Sequence, residues 1–243
     1  AHHKDFFVPD RMVLTIVGDV DADYAAAKVS ELFAGFKRVS TALPYPPVDT
    51  PETSIERTGA TKDKEQTHIG IGFNGTTIGN EDSYPLRVMS EVLSGQGGRL
   101  FIELRDRKSL AYTVSAFSRE AVDPGLIAGY IATAPEKKDE AIKGLLEEFR
   151  KLRVEPVREE ELARAKSSII GNYEIGLQSV SSQAADMANN ELFGLGYAFS
   201  EVYPEKIQAV TAEDVMRVAK KYLDLNAYVL SIVGPNGVAP KAE

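Results

Sequence analysis

SGQGGRLFIELRDRKSLAYTVSA, residues 94–116, is the stretch whose reading decides the fold. A glycine loop (Gly95, Gly97, Gly98) opens into a short helical segment over residues 99–108 that presents Arg105 near its end. A turn then brings Tyr112 to the start of a strand over residues 111–118. On composition alone Arg105 is a solvated helix residue and Tyr112 a half-buried strand aromatic, the commoner fates of both types. The glycine cluster lacks the Gly-Lys-Ser/Thr that a phosphate loop needs to hold triphosphate and Mg²⁺.

Working outward, residues 67–73 alternate as a strand, and residues 82–93 place Leu86, Met89 and Leu93 on one helical face. A strand over residues 126–133 follows the decisive stretch. Helical spacing returns at residues 139–152 (Ile142, Leu145, Leu146, Phe149) and along residues 159–193, with a break or bend expected near Gly171 and Gly176. A capped helix over residues 211–222 and a strand over residues 228–233 close the chain. At the other end, residues 11–20 (RMVLTIVGDV) form an apolar, β-branched run that predicts a buried strand. After Asp21 as N-cap, Ala25, Val29, Leu32, Phe33 and Phe36 keep the spacing of a core-facing helical stripe. Between the two regions, residues 41–52 (TALPYPPVDTPE) carry four prolines and predict an extended linker.

Val13-Leu14-Thr15-Ile16-Val17-Gly18 recurs near the end as Val229-Leu230-Ser231-Ile232-Val233-Gly234. A six-residue match between β-rich strands is weak by itself. It gains from context, because both copies follow an aromatic segment and both end in a glycine turn. The expectation is a duplicated parent, of which this chain holds one whole half and the tail of the half before it.

Composition removes several chemistries. A net charge of -8 with scattered Lys and Arg argues against a nucleic-acid surface. The absence of Cys excludes thiolate catalysis, iron-sulfur clusters and Cys-based zinc sites. No apolar run approaches the roughly 18 to 20 residues that span a bilayer. The chain opens on Ala1 rather than Met, so a targeting sequence would lie ahead of it and the compartment is not legible. Gly70-Ile71-Gly72-Phe73-Asn74-Gly75 satisfies G-x-G-x-x-G, but it sits inside an alternating strand with no helix directly after it, which is the wrong context for a dinucleotide. Of the three histidines, His2 and His3 are adjacent at the terminus, and His68, on a strand, has no second ligand near it in sequence. The acidic run Glu159-Glu160-Glu161 reads as a solvated first helical turn that complements the helix dipole.

The decisive stretch resembles the signature of the pitrilysin/insulinase family of zinc metallopeptidases, which includes mitochondrial processing peptidase. In the second half of that family's fold a glycine loop, S/G-R-L-F, E-L-R and L-A-Y follow in order. The likeness extends through Phe7-Val8-Pro9-Asp10-Arg11-Met12-Val13-Leu14, Gln66-Thr67-His68, Ala132-Thr133-Ala134-Pro135, Glu160-Glu161-Leu162-Ala163-Arg164-Ala165-Lys166 and Val210-Thr211-Ala212-Glu213-Asp214-Val215, and so covers nearly the whole chain. The family's catalysis needs an H-x-x-E-H motif in the first half, where two His bind Zn²⁺ and the Glu activates water; nothing here matches it. The resemblance implies that Arg105 and Tyr112, seven positions apart, reach into a partner's zinc site, where a guanidinium and a phenol could donate hydrogen bonds to a developing oxyanion. It also casts Gly95, Gly97, Gly98 and His68 as substrate-binding residues. The family usually has Gly before L-A-Y where this chain has Ser109, so a turn that demands positive φ would strain it.

The resulting expectation is an α+β fold, a largely antiparallel sheet with helices packed on one face, resembling half of mitochondrial processing peptidase. Residues 1–42 would be the strand-helix tail of a preceding homologous half, 43–52 a Pro-rich linker and 53–243 an inactive metallopeptidase-like domain. The expected function is that of the non-catalytic half or subunit of a zinc metalloendopeptidase, inactive alone and without a metal site of its own. Its partners would be peptide substrate and a homologous zinc-binding half, joined as a homo- or heterodimer, with no nucleic acid and no membrane span. The alternatives are a purely structural assembly subunit and a peptide-binding module without proteolysis.

Overall fold

The computed structural model describes residues 7–36, 48 and 50–235. It divides into two compact units, Ala1–Pro47 with Ile170–Glu205 and Val48–Ile169 with Lys206–Glu243. In chain order the elements are α1 (Ala22–Leu32), β1 (Glu56–Thr61), β2 (Thr67–Asn74), α2 (Ser83–Leu93), a π-helix (Phe101–Arg107), β3 (Ala111–Arg119), β4 (Leu126–Thr133), α3 (Lys138–Val154), α4 (Glu159–Gly176), α5 (Val180–Leu192), α6 (Phe199–Ala209), α7 (Ala212–Tyr222) and β5 (Val229–Gly234).

The unit built on Val48–Ile169 and Lys206–Glu243 holds one five-stranded sheet in the order β1-β5-β2-β4-β3. Only the β1–β5 pair is parallel; β5–β2, β2–β4 and β4–β3 are antiparallel. This is the expected α+β architecture. The period-two side-chain rule sends Thr67, Ile69, Ile71 and Phe73 of β2 to a buried face, where Leu230, Ile232, Ile127 and Ile131 join them. Helices cover that face because their stripes are apolar at helical spacing: Leu86, Met89 and Leu93 on α2, Leu145, Phe149 and Leu152 on α3, Val215 and Val218 on α7. The Phe149 ring meets Phe73 edge-on at 5.4 Å between centroids, and Gly129 leaves the room, since a Cβ there would run into that ring. The opposite face carries His68, Gly70, Gly72, Tyr130, Ser115 and Ser231 and is not covered by these helices.

Polar anchors fix the helices. Asp82, just ahead of α2, accepts hydrogen bonds from Arg217, Lys221 and Tyr222 of α7 at 2.6 to 2.8 Å. Burial alone would raise its pKa, but those three hydrogen bonds outweigh it and hold the carboxyl at about 2. α7 itself starts at a capping box in which Thr211 and Asp214 satisfy each other's backbone N–H groups.

In the other unit, Asp21 caps α1 by accepting from the Tyr24 N–H at 2.8 Å. Tyr173 donates to Asp186, Asn190 donates to the same carboxylate, and Tyr173 and Phe199 pack on the Tyr203 ring. Burial, with the Asp186 charge beside it, raises the Tyr173 hydroxyl well above the ordinary tyrosine range.

Two sequence expectations need correction. Residues 12–17 are extended but pair with no strand among the described residues, so the apolar run is not the buried strand it reads as. The helix expected over residues 99–108 is a shorter π-helix over Phe101–Arg107. The long helical stretch breaks after Gly176, where a break or bend is expected, and runs unbroken through Gly171; Ser179 caps the next helix by accepting from the Ser182 N–H. Finally, β1 and α6, the latter with Pro204 inside it, were not legible at all. The Pro-rich linker lies largely outside the described residues.

Candidate functional site

Arg105 and Tyr112 do come together. The π-helix ends in a turn whose bonds run Lys108 N–H to Glu103 O, Ser109 N–H to Arg105 O and Leu110 N–H to Leu104 O. This is the Schellman pattern widened by one residue, as the wider π turn requires. Its left-handed position falls on Ser109, with φ 49°, the only non-glycine at positive φ among the described residues. The strain expected from replacing the family's Gly is therefore present. The Ser109 carbonyl is held by Lys137 Nζ at 3.0 Å.

Past that turn a bulge between Ala111 and Thr113 leaves Tyr112 outside the regular β3–β4 register, and its side chain is 76% exposed. The Arg105 guanidinium carbon lies 4.6 Å from the centroid of the Tyr112 ring and 4.4 Å from that of Phe101. A cation between two ring faces is oriented by both quadrupoles, and stacking occupies the faces of the guanidinium while leaving its N–H edge available. Two positions along the π-helix, Arg107 is instead paired with Glu103. Phe101 was missed as a site residue, although its i, i+4 relation to Arg105 was a usable signal.

The three glycines build the loop ahead of this pair. Gly95 has φ +74°, and at Gly98 a Cβ would collide with the backbone carbonyls of Leu93 and Ser94, so neither position accepts a side chain without rearrangement. The Gly97 carbonyl accepts from Arg164 Nη2 at 2.6 Å. Arg99, at the loop exit, makes a two-pronged pair with Glu161 at 2.9 and 3.0 Å. Glu161 is thus buried rather than solvated, a correction to the reading of the acidic run; Glu159 and Glu160 do stay exposed. Burial would raise the Glu161 pKa, but hydrogen bonds from Arg99 and Arg158 bring it down to about 2.

His68 stands at the start of β2 on the uncovered sheet face, its Nδ1 2.6 Å from the Tyr130 hydroxyl. Through Ala132 it is in register with Thr113, so it shares the Tyr112 end of the sheet at a distance of two strand spacings, about 10 Å. It is not brought into contact with Arg105. A groove of about 500 Å³ lies elsewhere, between α3 and the β1–β5 pair, lined by Ile142, Leu146, Leu230 and Ile232. Among the described residues no cluster of His, Cys, Asp or Glu could hold a metal ion, and His68 with a phenol for a neighbour does not fit zinc. No described helix is long and apolar enough to cross a membrane.

The chain belongs to the Peptidase M16 family, because residues 1–169 match the model of the Peptidase M16 inactive domain. It is 28% identical over 238 residues to an uncharacterised zinc protease of Bacillus subtilis, covering 97% of this chain and 57% of that protein. A second uncharacterised zinc protease, from Mycobacterium tuberculosis, is 30% identical over 241 residues, covering 98% of this chain and 55% of the relative. The chain therefore spans about half the length of these curated relatives. The fold matches a crystal structure of a protease from Helicobacter pylori with a TM-score of 0.81 at 20% identity, over 89% of this chain and 54% of that one.

Proposed function

We propose that the chain acts as the substrate-binding, non-catalytic half of a zinc metalloendopeptidase and lends Arg105 and Tyr112 to a zinc site held by a homologous partner half. What is established is coarser: an inactive domain of the M16 family, similar to proteins named zinc proteases. The observation that carries the proposal is the stack of the Arg105 guanidinium between Phe101 and the exposed Tyr112. A charged donor and a phenolic donor, placed side by side on a surface corner and fixed by packing, suit a carbonyl oxygen that gains negative charge. Arg105 would orient and bind that oxygen or the flanking peptide backbone, and Tyr112 would donate its hydroxyl proton to the same hydrogen-bond set. Gly95, Gly97 and Gly98 would let peptide backbone approach beside them, with His68 lining the same end of the sheet. The zinc would belong wholly to the partner.

The test is reconstitution with the zinc-binding half. Arg105→Ala or Tyr112→Phe should lower turnover on the order of 10² to 10³ with assembly intact, as for removal of one oxyanion donor. Unchanged turnover in a correctly assembled pair would leave scaffolding as the function.

A further inference from the structure

α3 carries two apolar stripes. Leu145, Phe149 and Leu152 face the core and are fully buried, whereas Ile142 and Leu146, four residues apart, are half-buried along the groove of about 500 Å³ between α3 and the β1–β5 pair. Leu230 and Ile232 floor that groove, and Leu225 extends its apolar surface. It stays open because of what β1 offers. In the register with β5, Arg57 stands opposite Leu230 and Gly59 opposite Ile232, so the strand meets α3 with one charged side chain and one missing side chain. No larger residue can fill the gap from position 59, since Gly59 holds φ +153° and a Cβ there would collide with the Ile232 carbonyl oxygen. β1 is also an outer strand, with β5 as its neighbour in the sheet. Glu56 and Lys62 donate their N–H groups to the Tyr228 and Gly234 carbonyls, so alternate residues face β5 and the N–H and C=O of Arg57 turn outward. The Arg57 guanidinium, and the Lys143 ammonium on the α3 wall, make no hydrogen bond or ion pair among the described residues. Arg150 on the same rim is instead held by Glu147. Four cationic and two anionic residues surround the groove in a chain of net charge -8, so its local charge is opposite to that of the whole.

We propose that this groove and the adjoining β1 edge bind an extended acidic peptide segment, which adds to the sheet as a strand beyond β1. Strand addition satisfies the outward backbone groups of the edge. A carboxylate on the added strand lies against Arg57, with Lys143 on the facing wall. Two positions along, on the same face, a large aliphatic side chain leans across Gly59 onto Ile142 and Leu146. The recognised pattern is therefore an acid and an aliphatic residue separated by one position. An amphipathic helix is the wrong occupant, because at about 10 Å across it takes up on the order of 400 Å³ per turn and the groove would hold little more than one turn. β1 and β3 are opposite edges of the sheet, four strand spacings or about 19 Å apart. The site is thus separate from the Arg105 and Tyr112 corner, goes beyond support of a partner's zinc, and stands or falls without it.

Fluorescence anisotropy of the full chain at low salt, with labelled nine-residue peptides, tests this. A threonine host peptide with Glu-Thr-Leu at its centre should bind about tenfold more tightly than versions with Lys for the Glu or Ser for the Leu. Arg57→Glu with Lys143→Glu should reverse the preference for Glu over Lys, and because both side chains are exposed the melting temperature should match the parent's. Methylating every second backbone nitrogen of the peptide, in each of the two phases, should abolish binding in one phase and spare it in the other, since only one edge of an added strand pairs with β1. Equal loss in both phases, or a preference for Glu that survives the charge reversal, overturns the proposal. So does a sedimenting mass that doubles with concentration and excludes the peptide, which would give the groove to a second copy of the chain. Arg105→Ala should leave every one of these affinities unchanged, so this site and the zinc-site proposal read out separately.

Discussion

The Ser94 hydroxyl, at the end of α2, donates to the Ala116 carbonyl at 2.5 Å and accepts from the Ala116 N–H at 2.6 Å. One side chain thereby satisfies both outward backbone groups of a residue on the edge strand β3. Further along the same edge, Arg87 of α2 grips Glu120 with two hydrogen bonds. A helix thus occupies the line that another strand would need in order to add to this sheet.

Ser94→Ala should therefore cost roughly 1 to 3 kcal/mol by leaving two buried backbone groups unpaired. Urea denaturation measures the loss, and light scattering should show self-association of the variant through the opened edge.

Ser109→Gly should stabilise the protein by about 1 kcal/mol, because a side chain at φ 49° pays for a conformation that glycine adopts freely. Thermal melting checks the gain. Ser109→Val should lose stability by more than that amount, since β-branching makes the left-handed region worse.

Acid should loosen the sheet unit in a defined window. Asp82 and Glu161 both have folded pKa values lowered to about 2, from 3.8 and 4.5. A depressed folded value means that the stabilisation is fully present above the unfolded pKa and is lost as pH falls from about 4.5 towards 2. Each carboxylate should contribute on the order of 2 kcal/mol above that window. Asp82→Asn should flatten the pH dependence of the melting temperature between pH 2 and pH 4, and a slope unchanged from the parent would contradict the assignment.

Two glycines should respond in opposite directions. Gly98→Ala forces a Cβ against the Leu93 and Ser94 carbonyls and should cost several kcal/mol. Gly171→Ala, inside α4 with open space around it, should gain about 0.5 to 1 kcal/mol. Denaturation midpoints of the two variants, measured side by side, are sufficient.

Elements whose periodicity agrees with their burial were readable from the sequence. β4 was placed at its observed bounds, and α2, α3 and α7 within a residue or two, because their apolar positions line one face. β1 was not, since ERTGAT has no large apolar residue to set an alternation, and its two β-branched residues, Thr58 and Thr61, are polar; it is a strand because β5 pairs with it and because Gly59 packs against Ile232 where no side chain fits. Residues 11–20 misled for the opposite reason: the pattern of a buried strand is real, but burial depends on what lies opposite. At the site, the pairing of Arg105 with Tyr112 and the demand for positive φ at Ser109 came from a resemblance, and Phe101 was signalled only by its i, i+4 spacing from Arg105, whereas the π-turn that sets their geometry is not announced by sequence periodicity.

The parallel pairing of β1 with β5 has a consequence for synthesis. The first strand of the sheet waits for the last, so on a ribosome the unit cannot close its hydrogen-bond ladder until nearly all of the described chain has emerged. Until then β2, with its alternating Ile69, Ile71 and Phe73, has β4 on one side and an open ladder on the other. A nascent chain stalled before Val229 should be a client for chaperones that bind exposed strands, and emergence of Val229–Gly234 should be the step that frees it.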